Sequence, residues 1–190
     1  MQLLWKCPYT DGQYVTERGW EQATLERCPF HPQGGCGLEK LGTYVRVEPP
    51  GTRVARFWCP DQEASISLLP SVLAARMSGT LAAVEDVVAA VEAAGGIAAA
   101  VETVHPSDVE EAISLAGALR SIGRRASSIR SALLAIATLM PEMFFGVSPT
   151  LASFRAHLSV RRVLVLLREL AERHLHALPT PLGFRTRWSG

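Results

Sequence analysis

The sequence predicts an α+β fold in which a small β-rich unit, residues 1–69, precedes a mainly α-helical domain, residues 70–190. Three observations carry this expectation. Up to residue 69 the chain is rich in Gly, Pro, Cys and aromatic residues, in short segments broken by turns. After Pro70 it turns rich in Ala, Leu and Val, with apolar residues recurring at helical spacing. A hydrophobic fraction of 48% with 19% charged residues also belongs to a chain that buries a core, not to a disordered one.

The first informative element is the loop "CPFHPQGGCG", residues 28–37, which places Cys28, His31 and Cys36 in one Gly/Pro-rich stretch. The segment "GTYVRVEPPGTRVARFWC" then alternates as two short strands, joined through Pro49, Pro50, Gly51 and Thr52. Such a hairpin carries Cys59 back toward the loop. Thiolate and imidazole are the ligands of structural zinc, which closes a tetrahedron of four and contributes directly to the folding of a small β-unit. Cys28, His31, Cys36 and Cys59 are therefore the expected ligands of one structural Zn2+. Cys-Pro recurs at Cys28-Pro29 and Cys59-Pro60, each opening a candidate ligand turn. Gln62 stands where the second turn would ordinarily supply another ligand, and Cys7, also followed by Pro, is the alternative to one member of the set. Four cysteines without a secretory signal favour metal or free thiols over a disulfide framework.

The helical half begins with a segment capped by Ser78 or Thr80 and stopped at Gly95-Gly96, predicting a helix over residues 80–94. A short helix over 97–104 follows, interrupted by His105-Pro106. Ser107 then resembles an N-cap, with Asp108, Glu110 and Glu111 in the first turn of the next helix. These segments allow a degenerate helix-turn-helix. From Asp108 toward Met140, Leu115, Leu119, Ile122, Ala126, Ile129, Leu133 and Ala137 fall on one side at about 100° per residue, with Gly117 and Gly123 as points where the helix could divide. Arg120, Ser121, Arg124, Ser127, Ser128 and Ser131 fall on the other side, flanked by Arg125 and Arg130. Arg and Ser offer hydrogen-bond donors suited to phosphate oxygens, so Arg120, Arg124, Arg125 and Arg130 are candidate nucleic-acid contacts, joined by Arg53 and Arg56 of the hairpin. "LASFRAHL" and "VRRVLVLLRELAERHL" fit a helical core or partner interface, with Arg161, Arg162, Arg168 and Arg173 on their polar sides. His174 and His176, one residue apart, diverge on a helix and do not suggest a metal pair.

Taken together, "CPFHPQGGCG...GTYVR...PPGTRVARFWCP...SISLLP" resembles the zinc-ribbon segment near the start of some bacterial insertion-sequence transposases and of short proteins associated with them. The resemblance covers residues 28 to 75 well and the helical remainder loosely, and departs from the family pattern at Gln62 and Glu63. It implies a zinc-ribbon-like N-terminal unit, a helix-turn-helix after it, and a role at mobile-element double-stranded DNA or beside a transposase as protein partner.

Charge is uneven beneath the net value of +1. Residues 70–111 hold Arg76 against seven acidic residues, whereas from residue 112 onward eleven Arg face three Glu. Such asymmetry marks either a nucleic-acid surface or two regions of one fold that attract each other. The chain shows no P-loop, nucleophile elbow or acidic metal-binding constellation, and four filled ligand positions leave a zinc no place for a reactive water, so no enzyme is expected. It also shows no signal peptide and no membrane-spanning segment, which leads to a cytoplasmic expectation. Two functions follow: a non-catalytic DNA-binding accessory protein, or a protein-interaction module whose acidic middle and basic end form interfaces.

Overall fold

The computed structural model describes residues 1–104 and 115–184. The chain divides into two compact units, Met1–Thr80 with Phe184, and Leu81–Gly183. The fold is α+β, with a four-stranded sheet in the first unit and helices in the second.

In the first unit the strands are β1 (Gln2–Trp5), β2 (Glu39–Val45), β3 (Arg53–Cys59) and β4 (Ala64–Pro70), in the spatial order β1-β4-β3-β2. β2 and β3 form the antiparallel hairpin that the alternating sequence predicts, with Tyr44 opposite Val54. β4 returns antiparallel to β3, and β1 adds to it in parallel, Leu3 opposite Leu68. Because side chains alternate across a strand, Ala55, Phe57 and Cys59 share one face with their neighbours Ile66 and Leu68. These residues, with Ala23, Cys28 and Cys36, are the buried core of the unit.

Between β1 and β2 the chain forms α1 (Asp11–Thr16) and a 3-10 turn at Gly19–Glu21. Tyr14 of α1 is buried, meets Trp20 edge-on at 5.8 Å, and donates its hydroxyl to the Arg53 carbonyl at 2.7 Å. Gly19 permits this packing, since a Cβ there would stand 2.6 Å from the Tyr14 ring.

The boundary falls eleven residues later than the composition suggests, after Thr80 and not after Leu69. Residues 71–80 read as the start of the apolar helical half, yet the Ser71 amide donates to the Trp5 carbonyl and its hydroxyl accepts from the Cys7 amide. Val72, Leu73, Ala74 and Ala75 are buried within the first unit. An apolar run is the same in composition whether it begins a helix or extends a sheet's core.

The second unit comprises α2 (Leu81–Ala94), α3 (Ile97–Val104), α4 (Leu115–Leu139), α5 (Pro141–Phe144), α6 (Leu151–Leu158) and α7 (Leu164–Leu170), then a 3-10 turn at Glu172–His174. α4 runs unbroken through Gly117 and Gly123, contrary to the division their low helix propensity suggested. Its apolar stripe supplies the support: Ile122, Ile129, Leu133 and Ile136 are buried. The proposed turn between the short helix and the long one, with Ser107 and Asp108, Glu110 and Glu111, lies outside the described residues, and so does the join of the helix-turn-helix.

Acidic α2 organises the later helices. Glu85, 1% exposed, accepts from the Val163 and Leu164 amides at the start of α7 and from Arg155 Nε and Nη2 at 3.0 and 2.8 Å. Two turns on, Glu92 accepts from the Leu151 and Ala152 amides at the start of α6. Asp86 meets Arg162 in a two-bond pair. Part of the acidic-middle, basic-end asymmetry is thus internal attraction. Arg168 is likewise not on a polar side: it is fully buried and donates to the Leu182 and Pro181 carbonyls.

Candidate metal centre

Cys28, His31, Cys36 and Cys59 come together, with one ligand atom of each within 4.8 Å of all the others. The local chain explains how. A turn closed by the His31 amide on the Cys28 carbonyl puts the two side chains on one side of the loop, and the Gly34 amide closes a second turn on the His31 carbonyl. Gly34 and Gly35, both at positive φ, then swing the chain back so that Cys36 faces the same point. Cys59 arrives as the last residue of β3, on the strand's core face.

The distances suit a shared ion. Tetrahedral bonds of about 2.3 Å to sulfur and about 2.0 Å to nitrogen set sulfur and nitrogen roughly 3.5 Å apart. His31 Nδ1 lies 3.7 Å from Cys28 Sγ and 3.4 Å from Cys59 Sγ. His31 Nε2 faces the Asp61 carboxylate at 3.9 Å, the side on which metal-bound histidines ordinarily meet an orienting acceptor. All three thiols are buried in the sheet's core, so the cluster is closed to solvent apart from part of His31.

The electrostatics of the thiols differ. Burial pushes the Cys28 thiol up, but bonds from the His31 side chain, from the Phe30 and His31 amides and from Cys59 outweigh it and bring it down to about 7. Burial, then hydrogen bonds with Cys28 and Cys59, push Cys36 up to about 11, against the Leu38 amide that lowers it. Amides aimed at a sulfur stabilise thiolate, the form that ligates metal. Cys7 lies outside the cluster; burial first, then Asp11, pushes its thiol up. Gln62 takes no part, because Cys36 from the Gly-rich loop fills the fourth position.

The proposed nucleic-acid residues are brought together only in part. Arg120 and Arg124 are exposed on α4 beside Ser127 and Ser131, whereas Arg130, also exposed, stands about 80° round the helix from Arg120 and about 120° from Arg124. Arg125 sits about 140° round the helix from Arg120 and is half-buried. Arg53 and Arg56 are three residues apart on β3, which puts them on opposite faces of the sheet, Arg53 donating to Thr43 Oγ1. They do not form one surface. His174 and His176 lie near the 3-10 turn and join no metal group among the described residues.

Sequence reasoning missed Glu85, Glu92 and Arg155 as structural anchors, and placed Arg162 and Arg168 on polar sides without partners. Glu85 and Glu92, seven apart on one helix face in an otherwise Ala/Val-rich segment, were the available signal. No protein-family model, curated protein or solved structure matches the chain. No helix among the described residues is long and apolar enough to cross a membrane.

Proposed function

We propose that this chain is a non-catalytic DNA-binding accessory protein of the kind that accompanies bacterial transposases, acting in the cytoplasm with one structural zinc held by Cys28, His31, Cys36 and Cys59. Three thiolates and an imidazole suit zinc's preference for sulfur and nitrogen, and a closed four-ligand set gives it a structural role. The observation that carries the DNA reading is the side of α4 bearing Arg120 and Arg124 with Ser127 and Ser131, flanked by Arg130. It is exposed, and among the described residues none of these arginines has an ion-pair partner. Ten residues of helix span about 15 Å, so the stripe reaches more than one phosphate.

The test is a titration against duplex DNA at several salt concentrations. Wild-type affinity is expected to fall as salt rises, and replacing Arg120, Arg124, Arg125 and Arg130 together by Gln should flatten the log–log slope by about 0.9 for each phosphate contact removed. Zinc content and helical circular dichroism should stay unchanged. A specific observation favours a second reading: Arg155, Arg162 and Arg168 are engaged within the helical unit, while Phe145 is 91% exposed. That pattern suits a protein-assembly module with no nucleic-acid role. Absence of salt-sensitive binding to duplex DNA, single-stranded DNA and RNA alike would decide for assembly.

A further inference from the structure

The helical unit holds a cleft of about 770 Å³ between α2, the start of α3, the middle of α4 and the loop leading into α6. This size lies within the range of small-molecule sites, which are characteristically apolar with a few placed polar groups. Val88 and Val91 of α2, Ile97 of α3 and Ala126 of α4 supply apolar walls, and Ser127 and Arg130 supply polar atoms on one side. Two other polar side chains of the lining, Glu92 and Thr150, are already occupied, and Ser148 adds a further hydroxyl. The carboxylate of Glu92 accepts from two amides at the start of α6, and the Thr150 hydroxyl bonds to Ser153. The Arg130 guanidinium is different: it is exposed and has no hydrogen-bond or ion-pair partner among the described residues.

We propose that this cleft is a binding site for a small amphipathic anion, a molecule with an apolar body and a carboxylate or comparable head. The body lies against Val88, Val91, Ile97 and Ala126, where removal of apolar surface from water supplies the attraction. The head meets Arg130, whose planar fork matches a carboxylate with two parallel N–H···O bonds, and the Ser127 hydroxyl stands one helical turn away to donate a third. Neither half of the lining explains the other's ligand alone. A bare phosphate would leave the apolar walls wet, and a neutral hydrocarbon would leave the guanidinium unpaired. Arg130 is shared with the arginines proposed for DNA contact, but octanoate binding and the methyl shifts of the cleft are measured without DNA, so failure here and failure of the DNA reading are distinguishable.

The experiment uses the full zinc-loaded chain and three probes: octanoate, octanol and inorganic phosphate, followed by calorimetry and by methyl chemical shifts of Val88, Val91 and Ile97. Octanoate is expected to bind saturably and to move those methyl signals, with octanol weaker by roughly tenfold or more and phosphate without effect on them. Arg130→Gln, a substitution at an exposed helix position, should reduce octanoate affinity to the octanol level and leave octanol binding unchanged. Equal affinity for octanoate and octanol, wild-type octanoate affinity in Arg130→Gln, shifts confined to other methyl groups, or no saturable octanoate binding at millimolar concentration would each overturn the proposal.

Discussion

His31 shows how one side chain serves both the cluster and its surroundings, with Nδ1 among the sulfurs and Nε2 toward Asp61. Purified protein is expected to carry one zinc per chain; Cys28→Ser, Cys36→Ser and Cys59→Ser should each lose it, whereas Cys7→Ser should keep it. Elemental analysis decides, and zinc lost from Cys7→Ser but kept in Cys36→Ser would reassign the site. Affinity should also depend on pH with a definite sign. In the metal-free chain the lowered Cys28 thiol, at about 7, favours folding above its unfolded value near 9, a contribution lost as pH falls through about 7. The raised Cys36 thiol, at about 11, does the reverse, contributing below about 9 and losing that contribution as pH rises through about 11. Zinc must displace the Cys36 proton throughout the neutral range, so that thiol alone should weaken zinc binding about a hundredfold from pH 8 to pH 6. A chelator competition that is flat across this window would contradict the assignment. Glu85 and Asp86 make a matching contrast in stability. Glu85→Ala leaves buried amides and Arg155 without their carboxylate and should cost about 3–5 kcal/mol. Asp86→Ala breaks an exposed pair and should cost no more than about 1 kcal/mol by urea unfolding.

At the scale of elements, Gly117 and Gly123 offered points where α4 could divide, yet it runs through them, because packing of its apolar stripe outweighs their propensity cost. Gly123 is the informative position. A Cβ there would stand 3.5 Å from Ile97 Cδ1, an ordinary contact, and its backbone has no positive φ to relieve. Gly123→Ala should therefore stabilise the helix by roughly 0.5–1 kcal/mol, seen as a rise in Tm; a fall in Tm would mean that α3 cannot accommodate the methyl group. The β3–β4 turn illustrates the opposite case. Its closing residue, Glu63, adopts positive φ without being glycine, held by its amide on the Pro60 carbonyl directly after Cys59. The ligand turn and the hairpin turn are one device.

At the scale of the whole molecule, two units with separate cores imply two separable responses to metal removal. The first unit buries three thiols in its core, so with a zinc held there as proposed, its removal would take away bonds at the centre of that core. Treatment with a strong chelator is expected to abolish the near-ultraviolet signal of Trp5, Tyr14 and Trp20 while most of the far-ultraviolet helical signal survives. Parallel loss of both signals would show that the helical unit cannot hold without the first.

Local signals determined much of this protein. The alternation of residues 42–59 specified a hairpin, cap residues and the Gly95-Gly96 stop specified a helix over 80–94, and Cys-Pro turns marked two of the four clustered residues, Cys28 and Cys59, because turn chemistry and side-chain periodicity act over a few residues. Tertiary structure alone decided the rest. β1 finds its partner β4 across more than sixty residues, and no periodicity within Gln2–Trp5 points to it. Cys36 rather than Cys7 completes the cluster, since closure depends on how Gly34 and Gly35 return the chain. The arginines of the basic end divide between the exposed side of α4 and carboxylates or carbonyls inside the fold, a division set by which helices meet. Charge and residue type are written along the chain, but the partner of each charge depends on contacts between segments distant in sequence, and those form only when the cores pack.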